Sequence, residues 1–123
     1  MIQIDYRSEQ PIYEQIIEQI KLYVIKGQLS GGDAIPSVRK MAQSLGVTPS
    51  TVAKAYQELE RQKVIETIRA KGTFIAQNID VSMGEEQMER IRQRMKSEIL
   101  ELKRNGYSAE DVVNLAKEIY ESI

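Results

Sequence analysis

With 123 residues the chain has room for one small domain and a short helical appendage. An apolar fraction of 41% lies well above the disordered range, and the lack of cysteine excludes a disulfide framework and thiolate metal sites. The lack of histidine removes the commonest general base and metal ligand, no Gly-rich phosphate loop or paired-acid motif replaces it, and a net charge of −1 points to no partner by itself.

The first predicted element is Ile2 to Tyr6, where apolar and polar residues alternate as in an edge strand. A first helix is expected to open near Pro11, since proline suits the first helical turn. Ile12, Ile16, Ile17, Ile20 and Val24 give it one apolar face, with Gly27 as its terminator and a loop through SGGD. Pro36 and Ser37 open a second helix, in which Val38, Met41, Ala42 and Leu45 repeat at i, i+3, i+4 and i+7. Gly46 ends it in a left-handed turn, and Val47 plugs that turn into the core. Thr48 is the N-cap of a third helix with Pro49 at its first position, and Val52, Ala55, Tyr56 and Leu59 repeat the same stripe. Val64 to Thr67 and Thr73 to Ala76 read as two short strands joined by a tip over Ile68 to Gly72.

Two helices in short connection followed by a hairpin are the layout of a winged helix-turn-helix. Asn78 to Gly84 reads as a linker. Beyond it, Met88, Ile91, Met95, Ile99 and Leu102 form an apolar seam on a helix from Glu85 to Arg104, closed by Asn105-Gly106. Ser108 with Asp111 resembles a capping box for a last helix bearing Val112, Val113, Ala116, Ile119, Tyr120 and Ile123. Two such helices bury little alone, so their stripes are expected to close on a second subunit. The fold class is mainly α with a small β wing. Residues 1–78 form a DNA-binding domain and residues 79–123 a helical dimerisation tail.

Charge is uneven along the chain. From Pro36 to Ile75 seven basic residues face three acids, a net +4, whereas from Ile79 onward seven basic residues face ten acids, a net −3. Screening confines the acidic tail's influence to roughly 8 Å at physiological salt, so the basic module can still meet phosphate. No apolar run reaches the roughly 18 to 20 residues that span a bilayer, and MIQIDYRSEQ has no signal-peptide pattern. The expectation is a cytoplasmic protein, nucleoid-associated when bound, with no membrane partner.

The run Leu29, Gly32, Asp33, Ile35, Pro36, Ser37, Arg39, Ala42, Leu45, Gly46, Val47, Thr51, Val52, Ala55, Tyr56, Leu59 and Glu60, with Lys71, Gly72, Thr73 and Phe74 later, resembles the N-terminal domain of the GntR family of bacterial transcription regulators. The PSxR element, the LGV turn and the KGTF wing stand in the family's order. The short tail and Pro49 resemble the YtrA subfamily, whose tail serves mainly for dimerisation. Three positions depart from the pattern. Lys63 stands where the family usually has glycine, Ala70 where a wing glycine is common, and Gly31 where proline is usual.

The resemblance makes Arg39 a DNA contact; a surface salt bridge is the other reading. The leading end of the third helix offers backbone N–H groups and a favourable dipole to a phosphate. Thr48, Ser50 and Thr51 add hydroxyls there, with Thr48 read equally as a cap. Pro49 can pack on a thymine methyl. Lys54 lies one turn on, as a base or phosphate contact or a solvated side chain, and Tyr56 is assigned to the core. Arg69, Lys71 and Gly72 at the hairpin tip suit a minor groove or its flanking phosphates. The dimerisation set is Met88, Ile91, Met95, Ile99, Leu102, Val112, Ala116 and Ile119. The functional expectation is a non-enzymatic, sequence-specific repressor that binds an inverted-repeat operator in duplex DNA as a homodimer. It needs no metal or cofactor, and an unknown small-molecule effector is left open. The alternative is a winged helix that contacts protein and not DNA.

Overall fold

The computed structural model describes residues 2–77 and 83–123. The chain divides into two units, Met1–Asp80 and Val81–Ile123. The expected domain boundary, and most of the expected linker, lie at residues 78–82, outside the described residues.

In the first unit, α1 (Ile12–Ile25), α2 (Val38–Leu45) and α3 (Pro49–Arg61) surround a core to which each contributes its apolar stripe. Ile16, Ile17 and Ile20 come from α1, Met41 and Ala42 from α2, and Val52, Ala55, Tyr56 and Leu59 from α3. Val38 and Leu45, at the ends of the α2 stripe, are only half-buried and pack on the rim of that core with Val47. Burying a side chain such as Leu59 or Ile16 completely stabilises the fold by about 1.5–3 kcal/mol each.

The sheet has three strands in the order β1-β3-β2, with β1 at Ala34–Ile35, β2 at Ile65–Ile68 and β3 at Gly72–Ile75. Both pairings are antiparallel: Ala34 faces Phe74, and Ile65 faces Ile75. The hairpin matches the sequence expectation to within one residue at each end. Ile65 and Ile75 anchor it in the core, and only residues 69–71 remain as its tip.

Two sequence expectations need correction. Ile2 to Tyr6 belongs to no strand, and the chain turns at Tyr6. Its backbone groups are met by side chains of α1: Gln19 Oε1 accepts from the Gln3 amide at 2.9 Å, and Gln15 Oε1 accepts from the Asp5 amide at 2.9 Å. The third strand comes instead from Ala34–Ile35, in a stretch read as loop and helix entry. The second helix accordingly starts later than expected, with Ser37 as N-cap, its Oγ accepting from the Lys40 amide at 3.2 Å.

α1, α2 and the first helix of the second unit turn at Gly27, Gly46 and Gly106, all with positive φ. α3 ends in the same kind of turn on Lys63, at φ 61. The Val64 amide donates to Leu59 O at 2.9 Å and the Lys63 amide to Glu60 O at 3.0 Å, the two bonds of a Schellman motif. Ala70, at φ 67, takes the third position of the wing turn closed by the Lys71 amide on Ile68 O at 2.9 Å. Both departures from the family's glycines therefore fall where the backbone is left-handed. At Gly31 the reason is contact: a Cβ there would lie 3.0 Å from Gln77 Cα and 3.1 Å from Ala76 O. The loop is pressed against the end of the wing there.

The second unit consists of α4 (Glu85–Arg104) and α5 (Ala109–Ser122). Ser108 Oγ accepts from the Asp111 amide at 3.1 Å and the Asp111 carboxylate accepts from the Ser108 amide at 2.8 Å, a full capping box despite the shorter acid. Those bonds hold the Asp111 carboxyl below its ordinary pKa. No residue of either helix is buried.

Candidate nucleic-acid interface

The leading end of α3 is turned outward. Thr48, Pro49 and Ser50 are exposed and Thr51 is half-buried. Thr48 is the N-cap residue by backbone geometry, yet its side chain bonds no helix amide. Its Oγ1 lies 2.9 Å from Thr51 Oγ1 and 3.1 Å from Ser50 Oγ, so the three hydroxyls form one cluster. The cluster tops a helix end whose amides and dipole favour an anion. Thr48 is thus the N-cap by backbone position alone.

Arg39 is exposed in the first turn of α2 and forms no ion pair among the described residues. Arg69, Lys71 and Gly72 are likewise exposed at or beside the wing tip, and neither cation has an ion-pair partner there. Gly72 has φ 129, a conformation strained for any side chain.

Not every basic residue of the stretch is available. Arg61 donates from Nε to Glu58 at 2.9 Å and pairs with the same carboxylate through Nη2. That pairing, with a further bond from Gln62 at 2.7 Å, pulls Glu58 down to a pKa of about 2. Lys54 is exposed at the surface of α3, but its Nζ lies 3.9 Å from the centre of the Tyr13 ring on α1. Tyr56 is core, as expected. It is buried, its hydroxyl donates to Pro36 O at 2.6 Å, and burial raises its pKa to about 12.

In the second unit the expected dimerisation residues separate into three groups. Met88, Ile91, Met95 and Ile99 line an open apolar trough of about 590 Å³ along α4, edged by Arg92, Lys96 and Lys103. Leu102 and Val112 are half-buried and line a cleft of about 310 Å³ with Tyr107 and Leu115, so they already serve the corner between α4 and α5. Ala116 and Ile119 are exposed on α5. Sequence reasoning did not foresee the N-terminal arm at the helix-turn-helix, where Tyr6 donates from its hydroxyl to Leu45 O at 3.2 Å, nor the approach of Tyr13 to Lys54.

The family model for bacterial regulatory proteins of the gntR family matches residues 12–75, which span α1 through the wing. The chain belongs to the GntR family. Like its relatives, this GntR protein is a DNA-binding transcriptional regulator and not an enzyme. It is 44% identical over 119 residues to the HTH-type transcriptional repressor YtrA of Bacillus subtilis (strain 168), covering 97% of this chain and 92% of that protein. It also resembles the crystal structure of a transcriptional antiterminator from Listeria monocytogenes EGD-e, with TM-score 0.88 and 45% identity over 98% of this chain and 90% of that one. The DNA-binding domain of AraR, solved in complex with operator ORX1, matches with TM-score 0.53 and 29% identity over 59% of this GntR chain and 90% of its own. Among the described residues, no helix is long and apolar enough to cross a membrane.

Proposed function

We propose that this GntR protein is a repressor that binds an inverted-repeat operator as a homodimer. In this reading residues 1–78 are the DNA-binding domain and residues 79–123 hold two copies together. The observation that carries the DNA contact is the outward hydroxyl cluster of Thr48, Ser50 and Thr51, in the same unit as exposed cations with no ion-pair partner among the described residues, Arg39 on α2 and Arg69 and Lys71 on the wing. The helix end and the hydroxyls hold a phosphate, Pro49 packs on a base edge, and the wing reaches flanking phosphates. In support of the repressor role, YtrA of Bacillus subtilis is a repressor and a bound operator excludes polymerase. In support of the dimer, α4 and α5 bury none of their residues and leave Met88, Met95 and Ile119 about half exposed. A two-fold dimer presents α3 to half-sites roughly 10 bp apart, centre to centre. The dimer works in the cytoplasm, on the nucleoid when bound.

Selection of bound fragments from random DNA supplies the operator. Titrations in a salt series then compare the wild type with Arg39→Ala and Lys71→Ala. Each variant binds more weakly and lowers the salt slope by about 0.9 for each phosphate contact it loses. Unchanged affinity and slope remove that residue from the interface. A monomeric mass by light scattering at micromolar concentration overturns the dimer.

A further inference from the structure

We propose that Tyr13 of α1 is a positioning residue for DNA binding, holding Lys54 of α3 as a phosphate clamp and not as a reader of bases. The proposal rests on α3 being the helix that faces DNA, and it names a part of that interface outside the helix-turn-helix.

Lys54 follows Ser50 by four residues and Thr51 by three, so it shares their face of α3. Helical side chains lean toward the N-terminus, so that of Lys54 lies over the turn carrying the hydroxyl cluster. Its ammonium lies over the Tyr13 ring of α1, 3.9 Å from the ring centre. The ring is a firm seat: Tyr13 is half-buried against the core, and its hydroxyl donates to Glu14 Oε1 at 3.3 Å. A cation on an aromatic face keeps N–H donors on its other side. Among the described residues no carboxylate forms an ion pair with Lys54, so those donors remain for an incoming anion.

Position and freedom together decide the role. A lysine that reads a base must extend into the groove from an unhindered helix face. This one is anchored at the junction of α1 and α3, beside a helix end suited to phosphate. A free lysine side chain gives up most of its rotamers on engaging a phosphate, whereas one already seated on a ring has given up many of them in the unbound protein. The affinity gain therefore belongs to the pair, although only Lys54 touches DNA.

The test uses the full chain and two duplexes of equal length, the selected operator and an unrelated sequence, titrated over a salt series. The variants are Tyr13→Leu, Tyr13→Phe, Lys54→Met and the Tyr13→Leu/Lys54→Met pair. Lys54→Met is expected to lower the salt slope by about 0.9 on both duplexes, leaving the preference between them unchanged. Tyr13→Leu is expected to weaken both about 2- to 12-fold, from the roughly 0.5–1.5 kcal/mol of rotamer freedom that Lys54 then gives up on binding. Tyr13→Phe keeps the ring and binds as wild type, and the double variant is no weaker than Lys54→Met. In the unbound wild type the Lys54 ε-methylene protons resonate upfield through the ring current, and Tyr13→Leu abolishes that shift.

Several results overturn the proposal: wild-type affinity in Tyr13→Leu, a loss from Tyr13→Leu that persists in the Lys54→Met background, or Tyr13→Phe as weak as Tyr13→Leu. A change in sequence preference on Lys54→Met makes it a base reader and overturns it too. If Arg39→Ala weakens binding while Tyr13→Leu does not, this proposal alone falls. If the wild type binds neither duplex, the DNA-facing reading of α3 falls and takes this one with it.

Discussion

Replacing Lys63 by glycine should make the winged unit more stable. Lys63 sits at φ 61 as the left-handed residue of the turn ending α3, a conformation that costs an L-residue roughly 1–2 kcal/mol. Its side chain is exposed and the turn's two hydrogen bonds are backbone bonds, so glycine removes the strain without removing either bond. Glycine also loosens the unfolded chain, which returns roughly 0.4–1 kcal/mol. The net expectation is a gain of about 0.5–1 kcal/mol. For a unit of this size that corresponds to a melting temperature higher by about 3–6 °C, from about 4–8 °C per kcal/mol. Urea and thermal unfolding followed by circular dichroism measure it, and the urea slope should not change. Gly46→Ala supplies the opposite sign, because Gly46 lies at φ 70 and a methyl added there meets nothing within 4 Å, leaving backbone strain as the sole effect on the folded state. A lower urea midpoint for Lys63→Gly would refute the assignment of strain to this turn.

The same reasoning applies to Ala70 at φ 67, where Ala70→Gly should raise the stability by roughly 0.3 kcal/mol or more, read as a higher urea midpoint; a fall would count against it. Tyr56→Phe removes the hydroxyl that donates to Pro36 O at 2.6 Å and should cost about 1 kcal/mol near neutral pH. Because Tyr56 titrates at about 12 in the fold and at 10.0 ordinarily, the wild type loses stability as pH rises from 10.0 toward 12, and the phenylalanine variant lacks that loss in alkaline urea titrations. Glu58, held near a pKa of about 2 against an ordinary 4.5, contributes above pH 4.5 and loses its contribution as pH falls toward 2. Since the Glu58–Arg61 pair is largely solvated, that contribution is limited to roughly 0.5 kcal/mol. The stability gap between wild type and Glu58→Gln should therefore shrink on acidification, and a gap that stays constant would remove the ion pair from the account.

The elements legible in the sequence are those with a long stripe or an explicit stop signal. α4 runs from Glu85 to Arg104 as its seam and Asn105-Gly106 foretell, and the α3 stripe of Val52, Ala55, Tyr56 and Leu59 is buried throughout. β1 was not legible, because two residues carry no alternation; Ala34–Ile35 become a strand only when β3 lies alongside. Ile2 to Tyr6 had the alternation but no strand partner, and the side chains of Gln15 and Gln19 took the place of one. The exposure of Arg39, Lys71 and the start of α3 followed from pattern and family resemblance. The seating of Lys54 on Tyr13 did not, since periodicity within one helix says nothing of which residue on another it meets.

Gln15 is the one buried polar side chain among the described residues, and its carboxamide bonds to the N-terminal arm. Besides accepting from the Asp5 amide, it donates from Nε2 to Asp5 O at 3.0 Å and to Gln10 O at 2.9 Å. The residues ahead of Pro11 are thus no detachable leader. Trimmed back to the span the family shares, the domain would keep its helices yet lose all three hydrogen bonds of that carboxamide, at about 0.5–1.5 kcal/mol each. Anyone shortening this protein for crystals or spectroscopy should begin upstream of Asp5, or change Gln15 to an apolar residue in the same step.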